Sequence, residues 1–135
     1  RMGNVICWGR NTHGQIGDGT STQRSTPVLV PTLTDAVEIS AGALHTCARR
    51  STGAVMCWGY NGLGSLGDGS TANRTLPVTV AGLSNAVSVS LGSYHSCARR
   101  VDGAVLCWGS SNYGQIGDGW TVNSIVAAGP VFGLP

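Results

Sequence analysis

The chain has 135 residues, a formal net charge of +2 and only 10% charged side chains, against about a quarter in an average soluble domain. Its eight basic residues are all arginine and are scattered, which excludes the basic stripe of a nucleic-acid-binding surface. The longest apolar tract, residues 125–135, is broken by Gly129, Pro130 and Gly133 and falls short of the roughly 20 residues of a helical membrane span.

Taken in chain order, the elements recur. Cys7-Trp8-Gly9 returns as Cys57-Trp58-Gly59 and Cys107-Trp108-Gly109, at an interval of fifty residues, and such a period marks one supersecondary unit stacked on copies of itself. After each copy comes a turn-rich segment ending in Gly17-Asp18-Gly19, Gly67-Asp68-Gly69 or Gly117-Asp118-Gly119. Residues 1–33 supply the end of one unit, closing on a strand that follows Pro27, at Val28-Leu29-Val30. The unit at 34–83 opens on Val37, Ile39 and Ala41 alternating with Glu38 and Ser40, the period of a strand. It continues through His45 to Arg49, a glycine-containing turn at Ser51-Thr52-Gly53, Ala54 to Trp58, and a last strand at Val78-Thr79-Val80. The unit at 84–135 repeats the scheme from Val87, Val89 and Leu91, but Ala127 and Ala128 replace the Pro-Val of the earlier copies and Pro130-Val131 comes late. Nothing supports a helix. The reading is all-β, with four short antiparallel strands per unit, which is the signature of a β-propeller blade.

Gly42-x-x-His45-x-Cys47-Ala48, Val55-x-Cys57-Trp58-Gly59, Gly64-Ser65-Leu66-Gly67-Asp68-Gly69 and Pro77-Val78-x-Val80, with their phased copies, resemble the repeat of the regulator of chromosome condensation family over essentially the whole chain. The resemblance implies a seven-bladed propeller of about 350 residues, of which this chain would hold about two and a half blades as one repeat segment. An open arc leaves unpaired edges, so the expectation is that the remaining blades of the same propeller, or neighbouring copies, complete it.

The cysteines carry the clearest chemistry. Cys47 and Cys57 sit symmetrically about Thr52 on the arms of a hairpin, as Cys97 and Cys107 do about Asp102, and opposed residues there lie within disulfide range unless a bulge in the turn shifts the register. Reduced, buried thiols are the plainer alternative, and a zinc site built from His45, Cys47 and Cys57 is the sharper one, although three ligands fall short of a closed site. Disulfides would place the protein in an oxidising compartment, extracellular, cell-surface or periplasmic. The partner position of Cys7 would precede Arg1.

The other recurring residues take structural readings. Trp8, Trp58 and Trp108 are expected to wedge between neighbouring blades, His45 and His95 to hydrogen-bond loop backbone, and Asp18, Asp68 and Asp118 to accept backbone N–H groups within glycine turns. Arg49, Arg50, Arg99 and Arg100 are read as solvated hairpin positions. No acid, base and nucleophile recur at fixed spacing, so no catalytic residue, metal or cofactor is assigned.

Residues that differ between copies point elsewhere, because the blade does not require them. They concentrate in turns, where propellers place recognition residues. Arg10, His13, Tyr60, Leu63, Tyr94, Tyr113 and Trp120 combine aromatic, apolar and polar contacts as protein-binding patches do. The function expected is a non-catalytic protein-binding or adhesion scaffold with a protein partner of unknown identity. Guanine-nucleotide exchange, performed by the family's founding member, and enzyme inhibition, performed by a bacterial β-lactamase inhibitory protein with a similar propeller, are the alternatives that the resemblance raises.

Overall fold

In the computed structural model, which describes residues 3–121 and 125–133, strands of four to six residues alternate with glycine-rich loops. β1 (Ile6–Gly9) and β2 (Arg24–Leu29) form a two-stranded sheet. β3 (Ala36–Ala41), β4 (His45–Arg50), β5 (Val55–Gly59) and β6 (Arg74–Thr79) form an antiparallel sheet in sequence order. β7 (Ala86–Leu91), β8 (His95–Arg100), β9 (Val105–Gly109) and β10 (Ile125–Pro130) repeat it. Among the described residues no helix is long and apolar enough to cross a membrane.

The outermost strands begin earlier than the sequence suggests. β2 and β6 start at Arg24 and Arg74 and carry Pro27 and Pro77 inside them. Each strand pairs with only one neighbour, and an edge is where a residue without an N–H is tolerated. β10 pairs with β9 through a register shift between Ile125 and Gly129.

The β4–β5 hairpin keeps its register. The turn is absorbed at Gly53, whose φ of +82° suits glycine, so Cys47 pairs directly with Cys57. Their Sγ atoms lie 2.06 Å apart, and those of Cys97 and Cys107 lie 2.07 Å apart. Both cysteines of the first pair are fully buried, and they form part of the core between the second and third sheets with Val55, Leu66, Val89 and Trp108.

Strand β7 lays its apolar side on that core. Val89 is 6% exposed, whereas Ile39 at the same place in β3 is 49% exposed and lines an open hollow with Ile6, Cys7 and Trp8 of the two-stranded sheet. Burial of the alternating face thus depends on how closely the neighbouring sheet packs against it. Backbone bonds stitch the sheets as well: Ala86 N–H donates to Gly53 O and Ala36 N–H to Gly3 O, both at 2.9 Å.

Arg99 is exposed as its hairpin position suggests, but the other three hairpin arginines are not simply solvated. Arg49 pairs with Glu38 and Arg50 with Asp35, each at 2.8 Å, and Arg100 meets Asp102 at 3.1 Å. Arg49 and Arg50 are paired because β3 and the segment before it run beside β4 and carry acids in register, whereas Asp102 belongs to the turn that follows Arg100. Glu38 also accepts the Val89 N–H at 3.3 Å, so this ion pair reaches the next sheet.

Candidate functional site

The strands alternate direction, so the loops β1–β2, β3–β4, β5–β6, β7–β8 and β9–β10 gather at one end of the sheets. Gly9, Gly59 and Gly109 open the longer loops with φ near +105°, at +105°, +106° and +103°. At Gly59 a side chain would collide with Leu44 O, 2.6 Å from an ideal Cβ, so this glycine lets the β3–β4 and β5–β6 loops pack together.

The first two long loops are tied down from within. Asn11 is fully buried; its Nδ2 donates to Thr20 O and Thr22 O at 3.0 Å, and its Oδ1 accepts the Ile16 N–H at 3.0 Å. Asp18 accepts the Thr20 N–H at 3.0 Å and pairs with Arg24 at 2.7 Å. Burial pushes the Asp18 carboxyl up, but hydrogen bonds from Thr20 and Arg24 outweigh it and hold it below the usual carboxylate value. Asn61, Asp68, Ser70 and Arg74 repeat the arrangement, with Arg74 2.9 Å from Asp68. The turn role of the aspartates is as expected from their glycine context. The asparagines and arginines that complete the lock have a sequence signal too, since Asn11 and Asn61 share one repeat position, as do Arg24 and Arg74, but their partners are not evident from spacing alone.

The tryptophans bind blade to blade through these loops. Trp58 is fully buried and its Nε1–H donates to Gln15 O at 2.9 Å; Trp108 does the same to Ser65 O at 2.9 Å. Trp8, by contrast, is 61% exposed. A wedge needs a preceding sheet, and none among the described residues stands before β1.

His45 corrects its sequence reading. Its ring does not bond loop backbone: Nε2 lies 2.9 Å from Ser96 Oγ in the next sheet, and Ser96 Oγ donates to Ser65 O at 2.9 Å. The serine hydrogen is used on the carbonyl, so Nε2 carries the proton that His45 gives. Nδ1 is left buried without a partner, and an ideal Cβ at Gly42 would lie 2.5 Å from the ring. With Cys47 and Cys57 joined to each other and Nε2 turned to Ser96, the trio weighed as zinc ligands is not arranged around a common point.

Burial, and secondarily the nearby His95, pushes the His45 imidazole down from 6.5 to about 4. The unfolded chain takes up this proton near pH 6.5 and the folded chain only near pH 4. Stability is therefore full above pH 6.5, is lost as pH falls through that window, and the loss levels at about 3 kcal/mol below it. Urea midpoints measured between pH 7 and pH 4 check this, with His45→Asn flattening the profile; parallel profiles would remove His45 as the cause. Burial also lowers His95, which adds a loss of the same sign as pH falls below 6.5, while Asp18, Asp35 and Asp68 have lowered values and act below this window.

Of the loop residues that vary between copies, His13, Tyr60, Leu63, Tyr94 and Tyr113 come together at this end, while Arg10 borders a separate hollow. His13 and Tyr60 meet edge to face with ring centroids 5.3 Å apart, and Tyr60 meets Tyr94 at 6.0 Å, so the rings run from the first loop to the third sheet. Leu63, Tyr94 and Tyr113 line a cavity of about 510 Å3 with Ser110, Asn112 and Gln115. Tyr113 is 92% and Trp120 68% exposed. Arg10 bonds Thr12 at 3.2 Å and borders a second hollow of about 350 Å3 beside Trp8 and Ile39. Half-buried Cys7 lines that hollow, and burial pushes its thiol up.

Residues 2–49 and 52–99 match the family described as the regulator of chromosome condensation (RCC1) repeat, and residues 36–65 and 86–115 match a second family of the same description. The chain belongs to the RCC1-repeat family. Solved structures place its sheets as blades of the RCC1 propeller. Human WBSCR16 superposes with a TM-score of 0.80 at 22% identity over 94% of this chain. Prp20p from Saccharomyces cerevisiae, described with its binding to Gsp1p and histones, gives 0.81 at 21% identity over 95%. Yeast RCC1 (Prp20) bound by Kap60 gives 0.81 at 24% over 98%. The RCC1-repeat chain spans about a third of these proteins, 34%, 34% and 32% of their respective chains.

Proposed function

We propose that this RCC1-repeat segment is a non-catalytic protein-binding scaffold of a secreted or cell-surface protein, and that it binds through the long-loop end. One observation carries the reading. The aromatic run His13, Tyr60 and Tyr94, extended by Tyr113 and Trp120, is built from positions that the repeat leaves variable, and the loops that carry His13 and Tyr60 are each locked from within. Rigid, exposed tyrosine and tryptophan dominate binding energy at protein interfaces because they bury large area with few rotatable bonds. Protein partners are in keeping with the binding to Gsp1p and histones and the Kap60 complex described for Prp20. The hairpin disulfides favour an oxidising compartment, hence the extracellular, surface or periplasmic placement.

The test is quantitative capture from the secreted fraction of the source cells by wild type and by Tyr60→Ala with Tyr94→Ala. The double variant is expected to lose specific partners by at least about thirtyfold while its disulfides and melting behaviour stay intact. Equal recovery of every partner would remove this face from consideration.

A further inference from the structure

The third long loop breaks a pattern that the other two keep. The chain has six carboxylates, and five are in ion pairs: Asp18 with Arg24, Asp35 with Arg50, Glu38 with Arg49, Asp68 with Arg74, and Asp102 with Arg100. Among the described residues, Asp118 alone has no cation. Its repeat counterparts have three sets of partners, and the third copy changes all three at once. Asn11 and Asn61 become Ser111, the hydroxyl-bearing Thr20 and Ser70 become Trp120, and Arg24 and Arg74 become Ser124. The aspartate itself is retained.

The loop backbone is retained too. Gly114 N–H donates to Ser111 O and Gly117 N–H to Gly114 O, both at 3.0 Å, matching Gly14 to Asn11 and Gly17 to Gly14 in the first loop. Asp118 Oδ1 still accepts the N–H of residue 120 at 3.0 Å. The turn therefore keeps its cap through Oδ1. In Asp18 and Asp68 the other oxygen, Oδ2, takes the arginine, at 2.7 and 2.9 Å. In Asp118 that oxygen meets no cation of this chain among the described residues. The same substitutions put exposed Trp120 two residues from the carboxylate, and Tyr113 projects from the start of the same loop.

We infer that Asp118, with Trp120 and Tyr113, receives an arginine side chain from a protein partner, in place of the internal arginine that the other two loops carry. A guanidinium suits this set because it can pair with a carboxylate through parallel N–H groups while stacking its plane on an aromatic ring. The inference rests on the long-loop end being a protein-binding face, and it specifies what one part of that face recognises.

The probe is a capped peptide of alternating glycine and arginine, with its citrulline counterpart, which has nearly the same shape without the charge. Binding is followed at the Trp120 indole N–H by NMR at low salt. The arginine peptide is expected to bind, the citrulline peptide to bind at least about tenfold more weakly, and Asp118→Asn to reduce arginine binding by about the same factor. Asparagine can still accept the Trp120 N–H, so the loop keeps its cap. A second variant, Ser111→Asn with Trp120→Thr and Ser124→Arg, rebuilds the lock of the first two loops and is expected to remove binding, now read at Tyr113. Equal binding of the two peptides, or full arginine binding in Asp118→Asn, overturns the assignment. Such a failure is separable from failure of the face itself: partner capture lost in Tyr60→Ala with Tyr94→Ala but unchanged in Asp118→Asn removes only the arginine site.

Discussion

Reduction of both hairpin disulfides is expected to lower stability by about 5 kcal/mol. Each links cysteines ten residues apart. Closing a loop of that size removes unfolded-chain entropy worth about 2.7 kcal/mol at 25 °C, and the bridges lie in separate sheets, so their contributions add closely. The sum is comparable with the whole stability of a small domain, about 5 to 15 kcal/mol, so the reduced chain should unfold cooperatively at much lower urea or remain unfolded. Urea titrations with and without a phosphine reductant measure the shift. Cys7→Ser serves as the control, since Cys7 is unbonded and its replacement should leave the reductant effect unchanged. Superimposable curves would show that the paired thiols are not linked in solution, and intact mass before and after reduction would show the same thing independently.

Trp58→Ala is expected to cost about 4 kcal/mol, while Trp8→Ala changes stability by about 0.5 kcal/mol or less. The two residues have the same repeat position and the same flanking Cys and Gly. Trp58 is fully buried among Val5, Val30, Leu33 and Ala48, and its indole anchors the loop of the preceding sheet at Gln15 O. Truncation there opens a cavity that rigid neighbours cannot close. Gly17 holds one wall, since an ideal Cβ at that position would lie 2.6 Å from the indole nitrogen. Trp58→Phe keeps most of the buried area and loses the hydrogen bond, so about 1 to 2 kcal/mol separates it from wild type; Thr46 still donates to Gln15 O at 2.9 Å. Denaturant midpoints for the three variants decide the matter. Equal losses at Trp8 and Trp58 would mean that the tryptophan stabilises its own strand and not the contact between sheets.

That contrast shows how far the chain could be read from its residues. Pairing of Cys47 with Cys57 was legible because a hairpin has a local register and Gly53 supplies its turn. Capping of the Gly-Asp-Gly turns was legible for the same reason, as the acceptor and donor are two residues apart. His45 was misread because its partner, Ser96, is 51 residues away, in another sheet. Arg49 and Arg50 were misread because their acids, Glu38 and Asp35, meet them only when β3 and the segment before it lie beside β4. Of the proposed binding face, the variable positions could be identified from internal comparison, but not that His13, Tyr60 and Tyr94 place their rings edge to face.

The sequence by itself determined the repeat, the all-β class, the blade unit and the hairpins, since each follows from spacing, turn chemistry and alternation within one fifty-residue period. The tertiary structure alone decided which copies of a repeated residue are buried. Val89 and Ile39, and Trp58 and Trp8, are paired by sequence position yet differ in environment. The reason is physical: burial and charge pairing depend on what stands opposite a side chain, and in a propeller that neighbour belongs to the next sheet or to the loop that closes over it.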